Sequence, residues 1–447
     1  MTTVYEEFEK ELELNDQEYQ EMPELPVEEK WRKYFDNRQT DNDDAQSIKK
    51  HYFDSLQPYY LAHGSYGAAS KPSLEVYQQW SLELEKNPAD FYHNRLFDYM
   101  VQSTRALASF LNTRPSNLIL IKNVEFALQA VLRSLILSEN DNVLCFDLNY
   151  GAVKTSIEQI TKDVGALYFQ IAMMFPANNQ SIIQDLKSFL ESHDHKAHPI
   201  KVAVFEHITS PTAILLPINE MIEICRRYNI KTLIDGAHGI GQIELDFEKL
   251  KADYYTSNLH KWFMSPRGVA FLHVGDPGNH QTLKPLLVSW GHSYSMNSKF
   301  IWQGTDDYSA FLSIPTQIRF FHHLGGYKAV KRNHELAKWS GNVLSRVWNT
   351  RTLVETSMIS CMVVVELPPC FINETGRTER NKILYKVKTD FKIEAPMFDF
   401  KDVRYIRVSC HVYNCKQEIL YLAKAVLLSL YYPSEHEYFK VLNEYNC

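Results

Sequence analysis

From residue 118 to residue 274 the chain alternates short apolar runs with stretches of helical periodicity, and this limits its fold more than any other feature. Leu118 to Ile121 is a continuous apolar run that reads as a buried strand. Asn123 then stands where a helix cap belongs, before helical periodicity over 127–137. The pattern continues as strand 142–146, helix 153–164, strand 166–169, helix 181–191, strand 201–205, helix 218–228 and strand 231–234, with one more strand over 268–274. Strands separated by helices of this length predict an α/β protein: a mainly parallel sheet with helices on both faces. Such sheets collect ligands at the carboxyl ends of their strands. Asn123, Asp147, Ser210 and Asp235 all fall just past such ends, so one pocket can gather them.

Around this core the character of the chain changes twice. Residues 1–50 hold fifteen acidic and seven basic side chains, a net of −8 in a chain whose total is −7. We read this stretch as an acidic extension of short solvated helices or a mobile arm, with no persuasive apolar stripe. Residues 51–315 form the large domain. Within it 62–67 reads as a loop, helix follows Pro72, and 91–111 has helical spacing. Residues 316–447 read as a smaller α+β domain ending in a strand over 405–410 and a helix over 417–430.

Composition excludes several classes. No apolar run is long enough to span a bilayer, and the acidic start reads as neither a secretory signal nor a mitochondrial transit peptide. No basic face argues for nucleic acid. The seven cysteines are scattered without a CxxC pair, the usual look of reduced thiols, so the expected compartment is the cytoplasm.

Chemistry concentrates at Ile234-Asp235-Gly236-Ala237-His238-Gly239 and Ser257-Asn258-Leu259-His260-Lys261-Trp262. An acid ending an apolar strand, with a lysine about two dozen residues on, is the minimum kit for pyridoxal 5′-phosphate. The amine can condense with the aldehyde, and the carboxylate can keep the pyridine nitrogen protonated. Taken alone, Asp235 serves equally well as a helix cap. Lys261 has apolar neighbours and His260 beside it, a setting that lowers an amine's pKa. His238 is a donor to the cofactor's phenolic oxygen, a proton-transfer group, or a structural histidine. Ser257 and His260 are phosphate donors, as are the backbone N–H groups of Asn123-Val124-Glu125 at a loop-to-helix junction. Gly304-Thr305 is a further donor pair or a plain turn. Tyr150 is placed to stack on the ring or to serve as an ordinary tyrosine. Arg407 sits inside an apolar strand, where it needs an anion: a substrate carboxylate or a structural acid. His193, His195 and His198 lie in a polar loop with no acid or thiol framework, so no metal site is expected.

Together these residues resemble the class V aminotransferase family of fold type I pyridoxal phosphate enzymes. The branch is that of isopenicillin N epimerase, plant cysteine desulfhydrase-like proteins and the ergothioneine-pathway C–S lyases. The resemblance covers about 56–430 and rests on His63-Gly64-Ser65-Tyr66-Gly67, Asn123, His207-Ile208-Thr209-Ser210, Asp235 to His238, Ser257 to Trp262, Gly304-Thr305-Asp306, and Arg407 through Tyr413-Asn414. It implies a seven-stranded sheet in the large domain. Lys261 is then the cofactor lysine and proton shuttle, Asp235 the partner of the ring nitrogen and Tyr150 the stacking residue, with Ser210 and His238 near the phenolic oxygen. Ser257 and His260 bind phosphate, and Thr305 reaches over from a second subunit of a homodimer with shared active sites. Arg407 grips the substrate carboxylate, and His63, Gly64, Ser65 and Tyr66 border the substrate pocket.

Two departures sharpen this expectation. Val124-Glu125 replaces the Ala-Thr usual after the asparagine, so Glu125 must turn its carboxylate away from phosphate. The desulfurase branch carries a nucleophilic cysteine some fifteen to twenty residues before the equivalent of Arg407. Residues 390–405 contain none, and Cys361 and Cys370 lie too far upstream. The expected activity is therefore a pyridoxal phosphate C–S lyase acting on cysteine or an S-substituted cysteine. The alternatives are an epimerase or racemase, a desulfurase, and a family member kept only for binding.

Overall fold

The computed structural model describes residues 2–38, 44–370 and 385–445. In chain order the strands are β1 (Tyr59–Tyr60), β2 (Leu118–Ile121), β3 (Asn142–Phe146), β4 (Leu167–Ile171), β5 (Ile200–Glu206), β6 (Lys231–Asp235), β7 (Tyr254–Asn258), β8 (Ala270–Val274), β9 (Met362–Glu366), β10 (Ile393–Glu394), β11 (Met397–Phe400) and β12 (Val403–Ser409). Seven of them make one sheet in the order β2-β8-β7-β6-β5-β3-β4. β8 runs antiparallel to both neighbours, and every other pair is parallel. This is the α/β architecture expected from the alternation. Central strands are buried along their whole length, as strands covered on both faces must be.

β7 is the strand that alternation did not reveal. Tyr-Tyr-Thr-Ser-Asn looks too polar for a core strand, yet all five residues are buried. The polarity is absorbed internally: Thr256 donates its hydroxyl to the Phe271 carbonyl at 2.7 Å, and the backbone pairs with β6 and β8.

A second sheet of three strands, β11-β12-β9, is antiparallel and carries Arg407 opposite Val364. The helix Gly326–Trp348 packs on it, with Gly341 set against Val363. The pair β1 and β10 ties residues near 60 to this region. The loop expected over 62–67 contains one helical turn, His63–Tyr66.

The acidic extension needs correction. Helices Thr2–Glu13, Pro26–Asn37 and Ala45–Tyr52 are packed, with Tyr5, Phe8, Leu12, Trp31, Phe35, Ile48 and Tyr52 buried in the main core. The spacing of Tyr5, Phe8 and Leu12 is a helical stripe that the surrounding glutamates hide. Polar contacts fix it: Glu9 accepts from Ser298 Oγ and the Ser295 amide, both at 2.6 Å, and Trp31 Nε1 donates to Glu75 at 3.0 Å.

Candidate active site

Parallel strands end at a common edge, so β5 and β6 deliver their last residues, Glu206 and Asp235, side by side, and β7, whose Thr256 pairs with Asp235, runs two residues further to end at Asn258. These three line a cavity of about 300 Å³ together with Lys261 and His260 from the segment after β7. Tyr150, Ser210 and the head of the helix Val124–Ser134 close further walls, and Ser65 and Tyr66 reach in from the turn near residue 65.

Asp235 is buried and accepts the Ala237 amide at 2.9 Å. Burial pushes its carboxyl up; the Ala237 amide and Lys261 pull it back down. Burial also drives the Lys261 amine down to about 8, against the opposing pull of Asp235. The free base is therefore accessible near neutral pH, which an exposed lysine does not allow.

His238 reinforces that state. Trp262 Nε1 lies 3.2 Å from His238 Nδ1, and Lys261 Nζ lies 3.2 Å from His238 Nε2. An indole nitrogen only donates, so Nδ1 accepts and the ring proton sits on Nε2. Burial, with Lys261 and Arg407 adding to it, keeps the ring neutral. The Nε2–H thus points at a lysine that can accept only as the free amine.

Arg407 is 3 % exposed on β12. Its Nη2 donates to Ser65 Oγ at 2.7 Å and its Nη1 to Ser210 Oγ at 3.3 Å, while Nε has no partner. No carboxylate among the described residues is in ion-pair contact with it. Burial lowers its pKa to about 10, so it stays charged at physiological pH. A buried cation held by two cavity-lining serines and lacking an anion is suited to receive one.

The opposite wall is built from amides. Asn123 caps the helix Val124–Ser134 by accepting the Phe126 amide at 3.0 Å, and Asn258 accepts the Val124 amide at 3.1 Å. Glu125 is exposed at the rim. His260 has an unpartnered Nδ1, and burial holds its pKa near 4. Tyr150, at the head of the helix Gly151–Val164, is 45 % exposed and lines the cavity.

Several expected site residues lie elsewhere. Ser257 is fully buried, and its hydroxyl donates to the Gly236 carbonyl and accepts the Ile240 amide at 3.0 Å. It fastens the loop after β6 and is not a cavity donor. Neighbours on a strand point to opposite faces, so Asn258, not Ser257, turns to the cavity. His63 is also a correction. Its Nε2 donates to the Lys261 carbonyl at 2.9 Å, and its Nδ1 accepts the Tyr413 hydroxyl at 2.6 Å. Both nitrogens are committed behind the lysine, where His63 also stacks on His411. A side chain at Gly64 would collide with Met362 Sδ, so that glycine serves packing. Gly67 has φ +70°, and a Cβ there would strike the His260 carbonyl oxygen. Thr305 is exposed on the loop after Gly304 and does not line this cavity. Asp147 turns to the Met173 amide at 3.0 Å. Among the described residues no group of histidines, cysteines and acids could hold a metal ion.

Glu206 and Asn258 escaped the sequence reading. Glu206 ends its strand as Asp235 does, and that position was the available signal. Asn258 carries no such signal, because β7 is not visible as a strand in the sequence.

The Aminotransferase class-V family profile matches residues 69–422. The chain is 32 % identical over 395 residues to a putative L-cysteine desulfhydrase of Oryza sativa subsp. japonica, covering 81 % of each chain. It is 27 % identical over 361 residues to the isopenicillin N epimerase of Amycolatopsis lactamdurans, covering 76 % of this chain and 87 % of that one. Among solved structures it is similar to a C-DES mutant with glycine covalently linked to the PLP cofactor. The TM-score there is 0.74 at 20 % identity, covering 85 % of this chain and 98 % of the other.

Proposed function

The chain belongs to the aminotransferase class-V family, and from that premise we propose that it is a pyridoxal-phosphate-dependent lyase cleaving the Cβ–S bond of cysteine or an S-substituted cysteine. The products are pyruvate, ammonia and a sulfur compound. One observation carries this reading: a buried lysine amine and a buried carboxylate line one cavity, and an anion-free guanidinium is bonded to two of the serines in its wall. The cavity suits the cofactor on its own chemistry, and its size is at the lower end of the roughly 300–1,000 Å³ usual for small-molecule sites. When bound, pyridoxal phosphate supplies an aldehyde for the amine and an electron-accepting ring for bond breaking at Cα.

The chain's own residues do the rest. Lys261 takes the Cα proton at Nζ, and its low pKa suits it to that task near neutrality. His238 keeps its proton on Nε2 and steadies the amine. Asp235 is the counter-charge of the ring nitrogen. Arg407, braced by Ser65 and Ser210, orients the substrate carboxylate. His260, the Asn258 side-chain amide and the backbone N–H groups of Asn123 and Glu125 hold the phosphate, while the Val124 amide fixes Asn258 in place. Tyr150 covers the ring and, because His238 is engaged with Lys261, is the donor to the departing sulfur. Tyr66 stands at the mouth.

A homodimer with shared sites is part of the same proposal. Phe126, next to the cavity-lining Glu125, and Leu287, which lines a neighbouring pocket with it, are exposed apolar side chains, as are Val288 and Trp290, and a second copy would cover them. Thr305 then serves the partner's phosphate. The division into 1–50, 51–315 and 316–447 is retained as proposed domain boundaries, with the first segment docked on the core. No helix among the described residues is long and apolar enough to cross a membrane, and the cytoplasm is the proposed compartment.

Epimerisation is the second reading, favoured by the relative of that name. Desulfuration is disfavoured because none of the six described cysteines lines the cavity. Incubation of the cofactor-loaded protein with L-cysteine and with cysteine conjugates separates these readings. Pyruvate and a released sulfur product are expected. Deuterium uptake at Cα without pyruvate would make it an epimerase, and alanine with a protein persulfide a desulfurase. A protein that never turns yellow with pyridoxal phosphate would remove all three.

A further inference from the structure

The cavity holds a second buried carboxyl that the reaction above does not use. Glu206 closes β5 and Asp235 closes β6, and the two are register partners across parallel strands. Such strands lie about 4.8 Å apart, and paired residues project to the same face. Both are 3 % exposed and both line the cavity. The Ser210 and Tyr150 amides approach the Glu206 carboxyl, yet its Oε2 has no hydrogen-bond partner.

The charges around the pair are few. Asp235 faces Glu206 from β6, and Lys261 faces both from the segment after β7. Glu125, at the head of the helix Val124–Ser134, and Arg407, on β12, act on the same lysine. Two ionised carboxylates on adjoining strands would share one ammonium that itself releases its proton near pH 8. Like charges this close and this dry do not both ionise. Burial pushes both carboxyls up, and Lys261 and backbone amides pull both down; Glu206 stands well up because Asp235 adds to its burial and its Oε2 is left without a partner, whereas neither Asp235 oxygen is left so.

We propose that Glu206 is a positioning residue that holds a proton as a neutral acid, so that the Glu206–Asp235 pair presents one negative charge to the cofactor's ring nitrogen, and that Glu206 ionises to take over that charge when Asp235 is neutralised. The inference rests on the pyridoxal phosphate reading of the site. It explains why a partnerless oxygen is tolerated: as an O–H it is a donor into the cavity. Acting through Asp235, Glu206 sets how firmly the ring nitrogen is paired.

Two measurements test it. The first uses cofactor-free protein and chemical denaturation between pH 5 and pH 8. A carboxyl whose folded pKa is raised contributes stability that is complete below its unfolded pKa and is lost as pH rises toward the folded value. Glu206→Gln keeps the donor and removes the titration. Its stability relative to the parent is therefore expected to rise steadily from pH 5 to pH 8. A difference that stays flat with pH overturns the proton assignment. The second follows pyridoxal phosphate binding by absorbance. Glu206→Gln is expected to bind no more weakly than the parent, and Asp235→Asn about tenfold more weakly. Asp235→Asn with Glu206→Gln is expected to lose at least a further tenfold, because no acid remains to ionise. A double variant that matches Asp235→Asn overturns the reserve-charge assignment. Should the glutamine variant not fold, Glu206→Met, neutral and similar in length, serves both measurements. A parent that takes up no pyridoxal phosphate sinks the site reading, while the denaturation series still decides whether Glu206 holds its proton.

Discussion

The space in front of Lys261 and the region behind it use the same residue types to opposite ends. Behind the lysine, His63 has both nitrogens engaged, stacks on His411 and fixes the Lys261 carbonyl. In front, Glu206 Oε2, Arg407 Nε and His260 Nδ1 have no partner. Histidine type, burial and a single partnerless nitrogen do not distinguish the two regions, since His411 Nδ1 behind the lysine also has no partner; what marks the front is that Glu206 and His260 line a cavity. Polar atoms left without a partner at a cavity wall are a cost that an arriving ligand can remove.

That contrast can be broken by substitution. Lys261→Ala is expected to lower turnover by on the order of 10³-fold or more and to abolish the yellow colour. Thermal melting should show the fold intact. Unfolding of this variant would make the front a structural region and end the contrast. Asp235→Asn should cost about 10²-fold or more in turnover, the size expected when a fixed charge opposite developing charge is removed. Arg407→Lys is expected next, raising KM for carboxylate substrates about tenfold to a hundredfold, because a point charge cannot replace a planar fork. Melting of the cofactor-free form should not fall, since no anion is lost. A KM left unchanged would place the substrate carboxylate elsewhere.

Behind the lysine the order of effects reverses. Tyr413→Phe removes the hydroxyl that His63 Nδ1 accepts and should cost about 1–3 kcal/mol of stability, with less effect on turnover than any front substitution. A larger loss of turnover than of stability would join the two regions into one machine. The remaining effect is a pH dependence. The unfolded lysine keeps its proton up to about 10.5, while folded Lys261 releases it near 8. The unfolded state thus binds more protons between these values, and the cofactor-free protein gains stability as pH rises through that window. Lys261→Met should remove this gain, which denaturation at pH 8 and at pH 10 measures. A gain that survives the substitution would show that the amine is not buried in solution.

Much of the frame was visible before the structure. The runs at 118–121 and 142–146 coincide with β2 and β3, because strands covered on both faces are mostly apolar along their length. β7 was missed because its polar side chains are satisfied by cross-strand partners that one sequence does not show. The packed extension was missed because net charge outweighed three apolar residues at helical spacing. Asp235 and Lys261 were legible because each stands at a strand end or just beyond it. Ser257 and His63 were misassigned because residue type reveals capacity for hydrogen bonding and not its direction.

The sequence by itself determined the alternation that makes the sheet, the strand-end carboxylate and the lysine beyond it, since periodicity and chain direction are local properties. Only the tertiary structure decided that Asn258 and not Ser257 meets the cavity, that Arg407 lacks an anion, and that Glu206 lies against Asp235. Those facts depend on register and on which side chains are left unpaired once distant segments pack, and neither is written in any one stretch of chain.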